Sequence, residues 1–392
     1  MSPAPAPQKQ DVIVNDTEFL SAHWLAEGFP ARLSALVKDW REQAKEGHRD
    51  PLHALGSLSS DYLRELRSAT DSTTSTLSAG SMSSADEAPL LTSAHRSLAH
   101  ALGLAPNENT THEGAVVETL QGSRPLTLPV IAARGLETSL DLVVLDAVGV
   151  DAVDLLLDGK VNKPGSGSLA QPMQLTNAQG REELVWSVAR AVSEILASQA
   201  SPHYVLVFAG RWVLLTDAAR WSEGRYLALD LVTAMERREL TNSGGLARIA
   251  GLISAAVLLP DDAGENVMDK LTAESTTHAV GVSEELRVGL RRSIEIIAND
   301  VVRGLDGEEL TDPDLPSQLA TQSLRFLYRL LFLLYAEAHP ELAVVPTASA
   351  EYQAGYGLDR LRDIALADLP DGAGESHHLH TSLDVLFRLV NG

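Results

Sequence analysis

The stretch Tyr204–Arg238, YVLVFAGRWVLLTDAARWSEGRYLALDLVTAMERR, constrains the fold of this chain more than any other. Tyr204 to Ala209 is a short apolar run rich in β-branched and aromatic residues. Gly210-Arg211 breaks it, and Trp212 to Leu215 is a second run. Two such runs joined by a tight glycine-containing connection read as a β-hairpin. Asp217 to Gly224 is polar, and from Arg225 the spacing of Tyr226, Leu227, Leu229, Leu231, Val232 and Met235 starts as a strand and ends as a helix. No catalytic signature lies inside the stretch. Ahead of it the chain reads as a partly built α/β domain, and behind it as helix.

Residues 1–12, rich in Pro, Ala and Gln, read as a disordered tail. Residues 13–105 form an N-terminal helical segment. In it Leu20, Trp24, Leu25, Phe29, Leu33, Leu36, Val37 and Trp40 keep helical spacing, and Gly28-Phe29-Pro30 divides them between two helices. Residues 68–88 are Ser/Thr-rich and of low complexity, so they read as a loop. Residues 106–240 form a mixed α/β domain with short strands at 116–120, 126–132 and 140–145. A long loop over 160–180 and a helix over 181–197 follow. Residues 241–392 read as helical: 247–259, 267–280, a further helix with Ser283 as its N-cap, a strongly apolar 323–338 expected to be buried in a bundle, and 382–390. The abrupt finish after Val390 suggests a fragment of something longer.

Composition narrows the functional classes. A formal net charge of −22 over 392 residues opposes unassisted binding to a polyanion. The chain has no cysteine, which excludes disulfides, Cys-ligated zinc and thiol catalysis. MSPAPAPQKQD lacks the apolar core of a signal peptide, and 323–338 is too short and too charged to span a bilayer. The expectation is a cytoplasmic protein without a membrane partner.

Few residues suggest chemistry directly. Arg287, Arg291 and Arg292 share a helix and can track a phosphate backbone, although Glu284, Glu285 and Glu295 beside them fit an ordinary solvated face. Lys160 and Lys163 lie in a Gly/Ser loop that lacks the GK[ST] ending of a phosphate-binding loop, so a flexible linker is the simpler reading. His377, His378 and His380 offer imidazoles but no further ligand pair. Glu274 and His278, four apart on a helix, read as a surface contact. Trp212 and Trp221 beside Arg211, Arg220 and Arg225 can stack on bases or pack in the core, and packing is the commoner fate of large aromatics.

GRWVLLTDAARWSEGRYLALDL, STTHAVGVSEELRVGLRRSIEIIA, SLRFLYRLLFLLYAEAHP and EYQAGYGLDRL occur in that order over residues 15–392. Together they resemble the N-terminal region of large adenine-specific DNA methyltransferases of type IIG restriction–modification and of BREX- and DISARM-type phage-defence systems. RLLFLLYAEA followed by EYQAGYG is the most specific phrase. The resemblance implies a nuclease-like domain of degenerate PD-(D/E)xK type at 106–240 and a helical connector at 241–392. A methyltransferase domain would use S-adenosylmethionine and receive a flipped adenine at Asn-Pro-Pro-Tyr. Neither its glycine-rich loop nor that motif occurs here, so the chain needs no cofactor of its own and should not methylate DNA alone.

A nuclease of that type needs two acids for Mg²⁺ and a lysine to steady the attacking water. On DLVVLDAV, Asp141 and Asp146 are the candidate acids, and Val148 stands where the lysine belongs. Lys160 in Asp158-Gly159-Lys160 restores the order only in a loop. The expectation is a non-catalytic module that contacts DNA or other defence-system subunits. Lys160, Lys163, Arg211, Arg287, Arg291 and Arg292 are the DNA-contact candidates. A stand-alone scaffold protein and a Mg²⁺-dependent endonuclease are the alternatives.

Overall fold

The structure, a computed structural model, describes residues 12–15, 17–79, 88–105, 115–136, 139–176, 180–261, 263–307, 309–366 and 377–391. The expected tail, except Val12, lies outside the described residues. The chain divides into two compact units, Met1–Val280 and Gly281–Gly392.

The first unit opens with β1 (Ile13–Val14), α1 (Ala22–Glu27), α2 (Phe29–Lys45), α3 (Pro51–Ala79) and α4 (Ala88–Ala101). Gly28 separates α1 from α2, and Pro30 sits in the first turn of α2, where a missing N–H costs nothing. Strands β2 (Ala115–Gln121), β3 (Arg124–Val130), β4 (Ala132–Leu136) and β5 (Ser139–Asp146) follow, then β6 (Ser168–Thr176), β7 (Glu182–Ser187) and α5 (Val188–Leu196). The hairpin stretch supplies β8 (Tyr204–Ala209), β9 (Trp212–Thr216), α6 (Ala218–Ser222), β10 (Leu227–Asp230) and α7 (Leu231–Arg237). Helices α8 (Gly245–Ile253), α9 (Ala255–Leu258) and α10 (Val267–Arg303) close the unit, and α10 continues past its boundary.

Two sheets result. One runs β1-β10-β9-β8-β5-β4 and the other is the antiparallel β2-β3-β6-β7. In the six-stranded sheet only β5 and β8 pair in parallel, Leu142 opposite Tyr204 through Asp146 opposite Phe208. A parallel pair needs a long crossover, and β6, β7 and α5 provide it. All six residues of β8 are buried. Tyr204, Leu206 and Phe208 face a core shared with α1–α4 and α7–α10. Val205, Val207 and Ala209 face a second core built with the four-stranded sheet and α5. Each fully buried Leu, Val or Phe contributes about 1.5–3 kcal/mol, so β8 serves both cores at once.

The hairpin reading and the strand-to-helix reading of Leu227–Arg237 agree with the structure, as does the break at Gly28-Phe29-Pro30. Other expectations do not hold. The stretch 160–180 contains β6, whose Met173 and Leu175 are buried. Pro172 obscured it, and the ladder shifts register between Ser168 and Met173, where a missing N–H is tolerated. The helix expected over 181–197 begins as β7 and turns helical only at Val188, with Ser187 capping the new helix through its side chain. The Ser/Thr-rich stretch starts as the end of α3; residues 80–87 lie outside the described residues. No helix starts at Ser283, because α10 runs unbroken through that position. The boundary expected at residue 240 falls at 280 instead. Leu246, Ile249, Leu252, Met268 and Leu271 are all buried in the core of the first unit.

The second unit contains the later part of α10, α11 (Leu315–Ala338), α12 (Ala350–Gly355), α13 (Leu358–Leu366) and α14 (His378–Asn391). Its core is small: Leu333, Ala336, Val345, Tyr352, Leu358, Leu361 and Leu386. The burial expected for 323–338 is only partial. Leu327, Leu333 and Ala336 are buried, but Tyr328, Leu331, Phe332, Leu334 and Tyr335 are exposed.

The hairpin turn carries a specific demand. Gly210 has φ 65° and Arg211 does not have a positive φ, the pattern of a type II′ turn. A Cβ on Gly210 would lie 3.2 Å from the Gly149 Cα and 3.1 Å from Leu66 Cδ1. Gly210→Ala should therefore destabilise the protein by about 1–2 kcal/mol. Urea unfolding should show a lower midpoint with an unchanged slope.

Candidate functional site

The expected nuclease residues are not assembled. Asp146 ends β5 facing α4. There its Oδ1 lies 2.6 Å from His95 Nδ1 and its Oδ2 accepts from the Thr92 hydroxyl at 2.5 Å. His95 is fully buried, and its Nε2 accepts from the Gly210 N–H at 3.0 Å. That bond leaves the proton on Nδ1, where it is donated to Asp146. Tyr62 completes the chain by donating to the Gly210 carbonyl at 2.7 Å, and burial raises its phenol pKa well above the ordinary value. Asp146 thus ties α4 to the hairpin turn, with both carboxylate oxygens engaged. Asp141 is the extra residue where the β4–β5 register shifts, since Arg134 pairs with Leu142 and Gly135 with Leu140. Lys160 sits in an exposed turn in which its own N–H donates to Asp158 Oδ1 at 2.9 Å. The described residues contain one cluster of three or more side chains able to ligate a metal, and neither acid belongs to it. Asp146, with its two oxygens held by His95 and Thr92, is a poor fit to the Mg²⁺ site that the resemblance allowed.

The basic candidates divide in the same way. Arg211 donates through Nε and a terminal nitrogen to Asp230 Oδ2, at 3.0 and 2.6 Å. Asp230 is buried and also caps α7 by accepting from the Thr233 N–H at 2.9 Å. Arg211 therefore fastens the hairpin turn to a helix start. Lys160, Lys163, Arg287, Arg291 and Arg292 are exposed, and Arg287 pairs with Glu284 at 3.5 Å. Trp212 and Trp221 pack against the second core, donating from their indoles to the Asp151 carbonyl at 3.0 Å and to Ser193 Oγ at 2.9 Å. His380 stacks on Phe326 with centroids 6.3 Å apart and lines an open cleft of about 750 Å³ with Ile296, Val301, Leu315 and Leu319.

The side-chain cluster that does converge joins α1 to α10. His23 Nδ1 lies 2.7 Å from His278 Nε2, and the rings stack at 4.9 Å with an interplanar angle of 28°. Glu27, one turn on from His23, places Oε1 3.6 Å from His23 Nε2. The three potential ligand atoms lie within 4.8 Å of one another. Around them the Ser21 N–H donates to Ser275 Oγ at 2.7 Å. Arg32 forks onto Glu274, with Nε to Oε2 at 2.7 Å and a second bond from its terminal nitrogen. The expected surface contact between Glu274 and His278 is replaced by these two separate pairings. The only local signal for the cluster was the His–Glu spacing of four in α1. Its third member is 255 residues away.

Two polar hubs hold the framework. Asp269 accepts from the Tyr204 hydroxyl at 2.6 Å, and its carboxylate lies 3.0 Å from His203 Nε2; Asn266 donates to its other oxygen at 2.8 Å. Burial opposes the charge on Asp269, but the bonds from Tyr204 and His203 outweigh it and hold the carboxyl below its ordinary 3.8. In the second unit Glu337 accepts from the Tyr352 hydroxyl at 2.7 Å and from the Leu358 N–H at 2.9 Å. These bonds join RLLFLLYAEA to EYQAGYGL. Comparison with known protein families, with curated proteins and with solved structures finds no match.

Two outcomes follow from these contacts. Asp146→Ala leaves the buried His95 Nδ1–H without its acceptor and should lower stability by about 1–3 kcal/mol, measured by urea unfolding. Plasmid incubated with Mg²⁺ should stay supercoiled with either wild type or variant. Asp269 has a depressed folded pKa, so its stabilisation is complete above 3.8 and is lost as pH falls through the lower folded value. The stability gap between wild type and Asp269→Asn should be constant near neutral pH and shrink below 3.8.

Proposed function

We propose that this chain is a non-catalytic module of an adenine-specific DNA methyltransferase of a restriction or phage-defence system, and that it positions the methyltransferase domain. The observation that carries this reading is the exposed apolar surface of the second unit. Leu286, Val288, Ile296 and Val301 on α10 and Tyr328, Leu331, Phe332, Leu334 and Tyr335 on α11 are all exposed. Single surface apolars are ordinary, but this number of exposed large apolar side chains, three of them aromatic on α11, supports an interaction role. Leu331, Phe332, Leu334 and Tyr335 of the RLLFLLYAEA phrase that carries the resemblance are among these exposed residues, while Leu333 and Ala336 are buried.

The dispersed acids support a non-catalytic role, as Asp146 is tied to His95 and Lys160 stands in an exposed turn. The finer fold reading belongs here too. We read the β4–β5 hairpin, the crossover through α5 and the parallel β8 as a nuclease-like core that has lost its chemistry, a reading that these pairings support. DNA would meet the exposed Lys160, Lys163, Arg287, Arg291 and Arg292, weakly and with strong salt dependence at a net charge of −22. S-adenosylmethionine would bind the methyltransferase domain, not this module. The same apolar surface suits a scaffold protein of a defence system, which is the second reading.

Coding sequence flanking this gene segment should contain a polypeptide with a glycine-rich loop and Asn-Pro-Pro-Tyr. Mixed with this chain, duplex DNA and S-adenosylmethionine, that polypeptide should co-elute with it and give a higher yield of N6-methyladenine than it gives alone. Unchanged yield without co-elution would overturn the proposal. Co-elution without any change in methylation would favour the scaffold.

A further inference from the structure

We infer that His23, Glu27 and His278 form a binding site for a divalent transition-metal ion of the zinc class. The inference is independent of the methyltransferase reading. Two imidazoles and a carboxylate are the donor set of many zinc sites, with further positions left to water. Bonds of about 2.0–2.1 Å in a tetrahedral shell place ligand atoms roughly 3.4 Å apart. His23 turns Nδ1 to His278 at 2.7 Å and Nε2 to Glu27 at 3.6 Å, so an ion takes one of these nitrogens. With one ligand atom from each residue, all three lie within 4.8 Å of one another, and side-chain rotation brings them to that shell.

The facing nitrogens of His23 and His278 share a single proton at present, because one ring must donate and the other accept. An exposed bond of this kind exchanges with water and is worth little by itself. Replacing the shared proton with a cation uses both lone pairs at once, and Glu27, whose carboxylate lies within 4.8 Å, has to rotate from the Nε2 side of His23 to join them. The charge balance is favourable. Two neutral imidazoles and one carboxylate leave a net positive ion on a protein of net charge −22, which raises the cation concentration at its surface.

The site also rests on a held frame, which an adventitious pair of surface histidines lacks. Trp24 and Leu25 beside His23, and Met268 and Leu271 earlier on α10, are buried in one core. The Ser21–Ser275 bond and the Arg32–Glu274 fork flank the cluster and fix the two helices against each other. Glu274 is engaged by Arg32, so Glu27 is the carboxylate left for the ion. Binding would clamp α1 to α10 across 255 residues of sequence.

Isothermal titration of zinc chloride into the tag-free, metal-free full chain at neutral pH tests the inference. The expected result is one site that is lost in the His23→Ala and His278→Ala variants, each weakened by more than about 100-fold, beyond what outer-shell partners of a metal are worth. Glu27→Gln, which keeps the side-chain volume, should weaken binding without altering the circular dichroism spectrum. Zinc should raise Tm for wild type and not for His278→Ala. Absence of binding at millimolar zinc would overturn the inference. So would binding that survives in the His278→Ala variant but disappears in His378→Ala/His380→Ala, which would place the metal at the C-terminal histidines.

Discussion

The burial of β8 on both faces is the constraint from which the rest of the first unit follows. A strand with Tyr204, Leu206 and Phe208 on one side and Val205, Val207 and Ala209 on the other cannot lie at an edge or face water. It needs a neighbour on each side, which β9 and β5 provide, and a cover on each face. Helices α1–α4 and α7–α10 supply one cover, and the four-stranded sheet with α5 supplies the other. The parallel pairing with β5 then forces a long excursion between the two strands. The second sheet is part of that excursion.

Polar groups at the rims of this apolar slab are used to fasten it. His95, Asp146, Tyr62 and Gly210 lock α3 and α4 onto the hairpin turn, and Arg211 and Asp230 lock the same turn onto α7. Asp269 fastens the start of α10 to the start of β8. A carboxylate at the end of β5, next to the edge of the six-stranded sheet, is the kind of residue that suggests metal chemistry. Here Asp146 is spent on a histidine that is itself satisfied at both nitrogens. Residue type and position can therefore match a catalytic pattern while the bonding shows a structural fastener.

The parts that were legible in the sequence were those encoded by short-range pattern. The hairpin, the Leu227–Arg237 strand-to-helix passage and the α1–α2 break each depend on residues within a few positions of one another. Strand β6 was hidden because Pro172 and interleaved glutamines imitate a loop, and β1 because a two-residue edge strand has no periodicity to read. The exposure of α11 was illegible for another reason. A helix that is apolar on most faces is expected to be buried, and periodicity does not encode which of those faces the rest of the chain covers. The His23–Glu27–His278 cluster depends on a contact between the first helix and the last helix of the first unit, which no local spacing encodes.

Helix α10 crosses the division between the compact units without interruption. Over 37 residues it extends roughly 55 Å at about 1.5 Å per residue. The division therefore falls between residues of one helix instead of in a loop. A protease cannot nick it without first unwinding several turns. A truncation at residue 280 would leave four carbonyls of the severed helix without partners. The two units are separable by packing but not by cutting, so dissection of this protein has to keep the helix whole on one side or the other.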